Sequence, residues 1–249
     1  MTEGPRLLDW DSRFFGFPVA EHRLDGPGTL APSLAKARGL GATLLVVKTP
    51  HGTALETDAD AFLADTQITF GMPSDRPVPD WRIGPVKLER YEARALEDDM
   101  ARLGVMSGAQ SRFFHDPVFP DAAARALYVR WIDRIVSQDF SDRTLVLVER
   151  TPAGDICAMG ASYIDADGLG VPALMAVKPR GATPGFGRAY FSAMMRWFKD
   201  QGVHEAHIKT QTRSHSACNL YDRAGWERVR TDDIYHIWLA DPVVKPSYI

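Results

Sequence analysis

Two hydrophobic spacings alternate along this chain, and the switches between them mark its elements. Val19 to Leu24 reads as a strand. Leu30, Leu34, Ala37 and Leu40 fall on one helix face, so Thr29 to Leu40 is expected to be helical. Thr43 to Lys48 is β-rich and apolar at its centre, the pattern of a buried strand. Ala54 to Ala64 reads as a helix and Gln67 to Phe70 as a short strand. Three prolines then fall between Pro73 and Pro79. They make a stiff connection that no helix continues through, and divide the chain into 1–72, a connection 73–85, and 86–249.

Beyond the prolines, Val86 to Glu89 reads as a strand, Ala93 to Leu103 as a helix, and Ser107 to Pro120 as a polar and aromatic loop. Asp121 offers an N-cap to a helix carrying Leu127, Trp131 and Ile135 on one stripe. Arg143 to Glu149 and Ile156 to Ile164 read as strands joined by a turn at Pro152 to Asp155. Ala173 to Val177 is a further strand. A helix from Gly187 to Asp200 follows, with Tyr190, Met194, Trp197 and Phe198 on one face. Ala206 to Gln211 (strand), Ser216 to Arg223 (helix) and Ile234 to Leu239 (strand) complete the order. Strands interspersed with helices place the chain in the α/β class, with an α+β mixed sheet.

Composition narrows the partners. At 249 residues, 45% hydrophobic and 24% charged, the chain can bury a substantial core. A net charge of -3 gives no support to nonspecific nucleic-acid binding. The longest aliphatic run, Leu44 to Val47, is far too short to span a bilayer, and the N-terminus shows no apolar signal region. Cys157 and Cys218 lack metal-ligand or disulfide spacing, and the histidines form no cluster, so no metal is expected. These features predict a cytoplasmic protein without membrane or nucleic-acid partners.

Three stretches carry candidate chemistry. From Val177 to Arg188 a strand runs through a glycine turn into a helix, an arrangement that aims amides and a positive helix end at one point. It is neither a Walker A loop nor a dinucleotide fingerprint, so a phosphate seat and a plain tight turn both remain open. In Ser216 to Trp226 a short helix stopped by Gly225 carries Tyr221, either a proton donor or a half-buried tyrosine with a bonded tip. Ser111, Arg112, Phe113, Phe114, His115 and Asp116, with Tyr128 and Trp131 beyond, suit a flat or anionic ligand, since arginine forks onto phosphate or carboxylate. The same aromatics would equally plug a core. His207 is the histidine best placed for base chemistry, and a structural role is open to it as well.

The second segment resembles the GNAT acetyltransferases. Val177, Pro179, Gly185 and Gly187 match that family's strand-and-loop motif, and Ala217, Leu220, Tyr221, Gly225 and Trp226 match its later motif. More narrowly, Asp9 to Phe17, Ser111 to Phe114, Asp116-Pro117 and Phe119-Pro120 resemble the dTDP-fucosamine N-acetyltransferases. The resemblance implies a GNAT fold preceded by a smaller, truncated GNAT-like half. It implies acetyl transfer from acetyl-CoA to the amine of a nucleotide-linked amino sugar, by a homodimer. Met175, Ala176 and Val177 would then pair with the pantetheine arm. The turn Arg180, Gly181, Ala182, Thr183, Gly185, Phe186, Gly187, with Arg188, would hold the pyrophosphate. Tyr221 would protonate the CoA thiolate, and Ser111, Arg112, Phe113, Phe114, Asp116, Tyr128 and Trp131 would face the acceptor. Ala182, Thr183 and Pro184 depart from the family motif, and the proline removes an amide donor from the cradle. Another biosynthetic amine as acceptor, or a degenerate module that binds acyl-CoA without turnover, would fit the same residues.

Overall fold

A computed structural model describes residues 4–73, 76–77, 81, 84–139 and 141–242. The chain begins with β1 (Arg6–Leu7), α1 (Asp9–Phe15), β2 (Val19–Arg23), β3 (Gly28–Thr29), α2 (Ala31–Gly39), β4 (Leu44–Pro50), β5 (Leu55–Glu56) and β6 (Phe62–Pro73). It continues through β7 (Glu89–Arg90), α3 (Asp98–Ser107), α4 (Arg112–His115), α5 (Asp121–Val136), β8 (Thr144–Arg150), β9 (Ile156–Ile164) and β10 (Gly170–Val177). The last elements are α6 (Phe186–Asp200), β11 (Glu205–Gln211), α7 (His215–Arg223) and β12 (Glu227–Trp238). Much of the proline-rich connection 73–85, including Val78 and Pro79, lies outside the described residues, as does the chain start at Met1 to Glu3.

Several elements differ from the sequence reading. No helix forms over Ala54 to Ala64; β5 and the start of β6 occupy it. Pairing on both edges of β6, with β11 and with β12, overrides the local preference. The same pairing extends β6 and β12 well past the short strands expected. The helix expected from Ala93 begins at Asp98, where Asp98 and Asp99 complement the helix dipole. Asp9 to Phe15 is helical and stops at Gly16, whose φ of 75° needs the left-handed region. A single helical turn, α4, sits inside the loop from Ser107 to Pro120.

Ten strands form one sheet in the order β1-β2-β4-β12-β6-β11-β10-β9-β8-β7. Neighbours are antiparallel except β2 with β4 and β10 with β11. The two parts of the chain are interleaved at the centre. β12 lies between β4 and β6, and β6 lies between β12 and β11. Helix α6 covers one face, burying Phe186, Tyr190, Phe191, Met194 and Phe198 against Ile68, Phe70 and Ile208. Helices α3 and α5 cover the other, with Met100, Leu103 and Ile132 against Val146, Val148 and Met159. The N-terminal aromatics Phe15 and Phe17 join Phe119 and Leu127 over Leu44, Val46 and Ile234, so α5 caps both parts of the sheet.

Candidate active site

The site begins where two strands part. β10 and β11 share a single registered pair, Gly170 with Ala206. Beyond it β10 keeps β9 on its far edge, and β11 keeps β6 on its own. A register shift between Pro172 and Leu174 accompanies the divergence, as bulges re-aim strands elsewhere. The open edges enclose a cavity of about 1370 Å³. That exceeds the roughly 300–1,000 Å³ of a single small-ligand pocket, so there is room for two substrates. Met175, Ala176 and Val177 line the β10 side; Ile208, Lys209, Thr210 and Gln211 line the β11 side. Backbone groups on these facing edges lack a strand partner, and an extended ligand arm could satisfy them.

The glycine turn closes one end. Gly185 has φ 105°, in the left-handed region, and precedes the first turn of α6. Gly185, Gly187 and Arg188 line the cavity, whereas Arg180, Gly181, Ala182, Thr183 and Phe186 do not. Two amides of the turn are engaged inside the protein: Thr183 N–H donates to Glu149 Oε2 at 3.1 Å, and Phe186 N–H to the Thr183 carbonyl at 3.3 Å. Pro184 has no N–H to give. Lys178 is paired with Asp99 at 2.7 Å, which leaves Arg188 as the turn cation on the cavity. At Gly187 an added Cβ would stand 3.4 Å from Leu220, an ordinary van der Waals contact.

Tyr221 reaches the cavity from α7 through an aromatic collar. Its ring meets Phe70 edge-on at 5.3 Å and stacks on Phe191 at 5.2 Å. Burial pushes its phenol well above the usual tyrosine range, and the neighbouring Tyr190 and Cys218 add to this. The group is therefore a neutral O–H at physiological pH, able to donate and reluctant to ionise.

The other face of the sheet supplies the opposite wall. Ser111, Arg112, Phe113, Tyr128 and Trp131 line it together with Trp10, Asp11, Lys48, Asp65 and Gln67. The Nη1 of Arg112 is buried with no hydrogen-bond partner among the described residues, and its guanidinium lies 4.6 Å over the Phe113 ring. Burial lowers its pKa, opposed by the nearby carboxylates of Asp11 and Glu21. Phe114 is set back from the lining, stacked on Tyr128. Asp116 is also set back: its carboxylate accepts from His236 at 2.7 Å and Trp238 Nε1 at 2.9 Å, a strut rather than a cavity group. His207 pairs with Glu205 and lies outside the lining. Phe113 and Phe119 pack on Phe15, so the loop both plugs a core and edges the cavity.

Sequence reasoning passed over Asp11, Lys48, Asp65 and Lys209. The signal for Asp65 was present in the alternation of Asp65, Gln67 and Thr69 with the apolar Ile68 and Phe70. The helix expected just before it masked this. Among the described residues no group of three or more His, Cys, Asp and Glu gathers as a metal site, and no helix is long and apolar enough to cross a membrane.

No protein-family profile and no curated protein matches the sequence. Solved structures do match the fold. A conserved protein of unknown function from Staphylococcus epidermidis superposes with TM-score 0.59 at 10% identity, covering 96% of this chain and 93% of its own. A tandem GNAT protein from the clavulanic acid biosynthesis pathway gives 0.55 at 14%, covering 89% and 75%. A GCN5-related N-acetyltransferase from Sphaerobacter thermophilus gives 0.54 at 14%, covering 97% and 78%. The chain therefore has the GNAT fold in a mixed α/β sheet, long enough to hold a GNAT unit preceded by a smaller GNAT-like half. Neighbours with this fold include N-acetyltransferases.

Proposed function

We propose that the protein is an N-acetyltransferase that moves the acetyl group of acetyl-CoA to a small-molecule amine. The observation that carries this reading is the parting of β10 and β11 around a cavity that Tyr221 enters as a buried, neutral phenol. The residues fit the co-substrate. The open edge at Met175 to Val177 suits an extended pantetheine arm, and Gly185, Gly187 and Arg188 suit its pyrophosphate. In this reading residues 86–249 form the catalytic unit and 1–72 complete the acceptor wall. Tyr221 gives its proton to the departing sulfur, and an amide of the open β10 edge meets the developing oxyanion.

For the acceptor we infer a nucleotide-linked amino sugar. Support comes from the resemblance carried by Asp9 to Phe17 and Ser111 to Pro120, and from the buried, unpartnered Nη1 of Arg112, which suits a phosphate. A cytoplasmic homodimer is part of the same reading.

One observation favours a second reading, an acyl-CoA-binding module without turnover. Pro184 and the engaged amides of Thr183 and Phe186 leave the turn fewer donors for a pyrophosphate. Calorimetry with acetyl-CoA, beside thiol release with a thymidine diphosphate-linked amino sugar and a panel of primary amines, separates the two. The transferase binds acetyl-CoA and releases thiol with an amine present. Binding without release across the panel favours the module, and absence of binding removes both readings.

A further inference from the structure

We propose that Asp65, from the N-terminal part of the chain, is the base of the transfer, receiving the acceptor's ammonium group and taking its proton. This rests on the transferase reading above and names a catalytic group that the GNAT unit does not itself contain.

Asp65 lies on β6, the strand that carries the first part of the chain into the middle of the second. It is 1% exposed yet belongs to the cavity lining. Pairing sets Asp65 opposite Ile234 and Gln67 opposite Gln211. With Gln67 and Thr69 it therefore shares the sheet face turned away from α6 and toward Arg112. Tyr221 meets Phe70, whose side chain points to the α6 face. The proton donor and Asp65 thus approach the cavity from opposite sides of the sheet, so the two roles fall to separate groups.

Its carboxylate accepts from the Thr66 backbone N–H, the Gln211 side chain and Arg213. Arg213 Nη2 stands at 3.3 Å from Oδ1 and gives its shorter bond, 2.9 Å, to the Ala64 carbonyl. The charged groups facing it are Arg213, from the segment after β11, and Arg112, from α4; the phenol of Tyr128 on α5 is also near. Burial outweighs both arginines and pushes the carboxyl up to about 6, where it is ionised at neutral pH and still basic enough to accept a proton.

The step balances. Asp65 takes one proton from R–NH₃⁺, and the nitrogen lone pair forms the N–C bond to the acetyl carbon. The C–S bond breaks, and Tyr221 protonates the sulfur. The nitrogen's surplus proton restores Tyr221, and the proton on Asp65 leaves to water. Asp11 on α1 is the rival, since it also lines the cavity.

Thiol release with acetyl-CoA and a thymidine diphosphate-linked amino sugar, from about pH 5 to 9, tests the assignment in wild type, Asp65→Asn, Asp65→Glu and Asp11→Asn. Asp65→Asn is expected to lower kcat/KM roughly 100-fold at neutral pH and to abolish the limb near pH 6. Acetyl-CoA affinity should stay within a few-fold, and Asp65→Glu should recover part of the rate. A retained limb in Asp65→Asn, its loss in Asp11→Asn alone, or lost acetyl-CoA binding in Asp65→Asn overturns the assignment and leaves the transferase reading standing. Wild type that binds acetyl-CoA but releases no thiol with this sugar or with any amine of the panel above overturns the transferase reading, and the assignment with it; where another amine of the panel releases thiol, the variants are read with that amine.

Discussion

Single residues at this site differ in what their surroundings allow. Tyr221 sits among Phe70, Phe191 and Trp226, and this apolar collar keeps the phenol neutral. Phenylalanine preserves the ring contacts and removes only the O–H. Tyr221→Phe should therefore lower kcat by roughly 100-fold while acetyl-CoA affinity, read by calorimetry, changes little. An unchanged kcat would take the acid role from Tyr221. Its position was legible in the sequence, because the motif from Ala217 to Trp226 places it near the end of a helix stopped by Gly225. Asp65 was not legible in the same way. Its meaning depends on Arg112 and Tyr128, which approach it from helices remote in sequence.

At the scale of elements, α6 and β10 matter most, and both were readable from periodicity. The seating of α6 on the sheet rests on a glycine that periodicity does not flag. Gly160 on β9 lies beneath Tyr190, and an added Cβ would come within 2.3 Å of its ring. The Tyr190 hydroxyl is hydrogen-bonded to Ser162 on the same strand, so the ring cannot simply turn aside. Gly160→Ala should cost roughly 1–3 kcal/mol in urea unfolding, the range for overpacking a core. A midpoint equal to wild type would show that α6 shifts without penalty. The strands β6 and β12 were read too short, because both are paired along each edge with strands distant in sequence.

At the scale of the whole molecule, the interleaved centre ties the two parts together, and a buried polar pair within the second part braces β12 there. His236 on β12 donates to Asp116 in the segment between α4 and α5. Burial lowers the imidazole pKa from 6.5 to about 4, outweighing the neighbouring carboxylate. Burial would raise Asp116, but bonds from His236, Val118 and Trp238 prevail and hold it below its ordinary value. Both folded values lie below the unfolded ones, so the unfolded chain binds protons more readily. From pH 6.5 toward 4 His236 contributes a loss of stability, opposed by Asp65, whose folded value of about 6 lies above its unfolded one; Asp116 extends the loss below that. Thermal melts of wild type and His236→Asn across this range check the link, and wild type should lose more stability on acidification than the variant. The same pH dependence in both proteins would refute it.

By itself the sequence determined the class of elements, the glycine turn and the place of Tyr221 on its helix. Those features are local, set by hydrophobic period, turn chemistry and short spacings. Only the tertiary structure decided that β6 and β12 cross between the two parts, that β10 and β11 separate after one pair, and that Asp65 faces Arg112 across a cavity. Those relations depend on pairing and burial between residues far apart in the chain, and no local pattern encodes which distant strand will lie alongside.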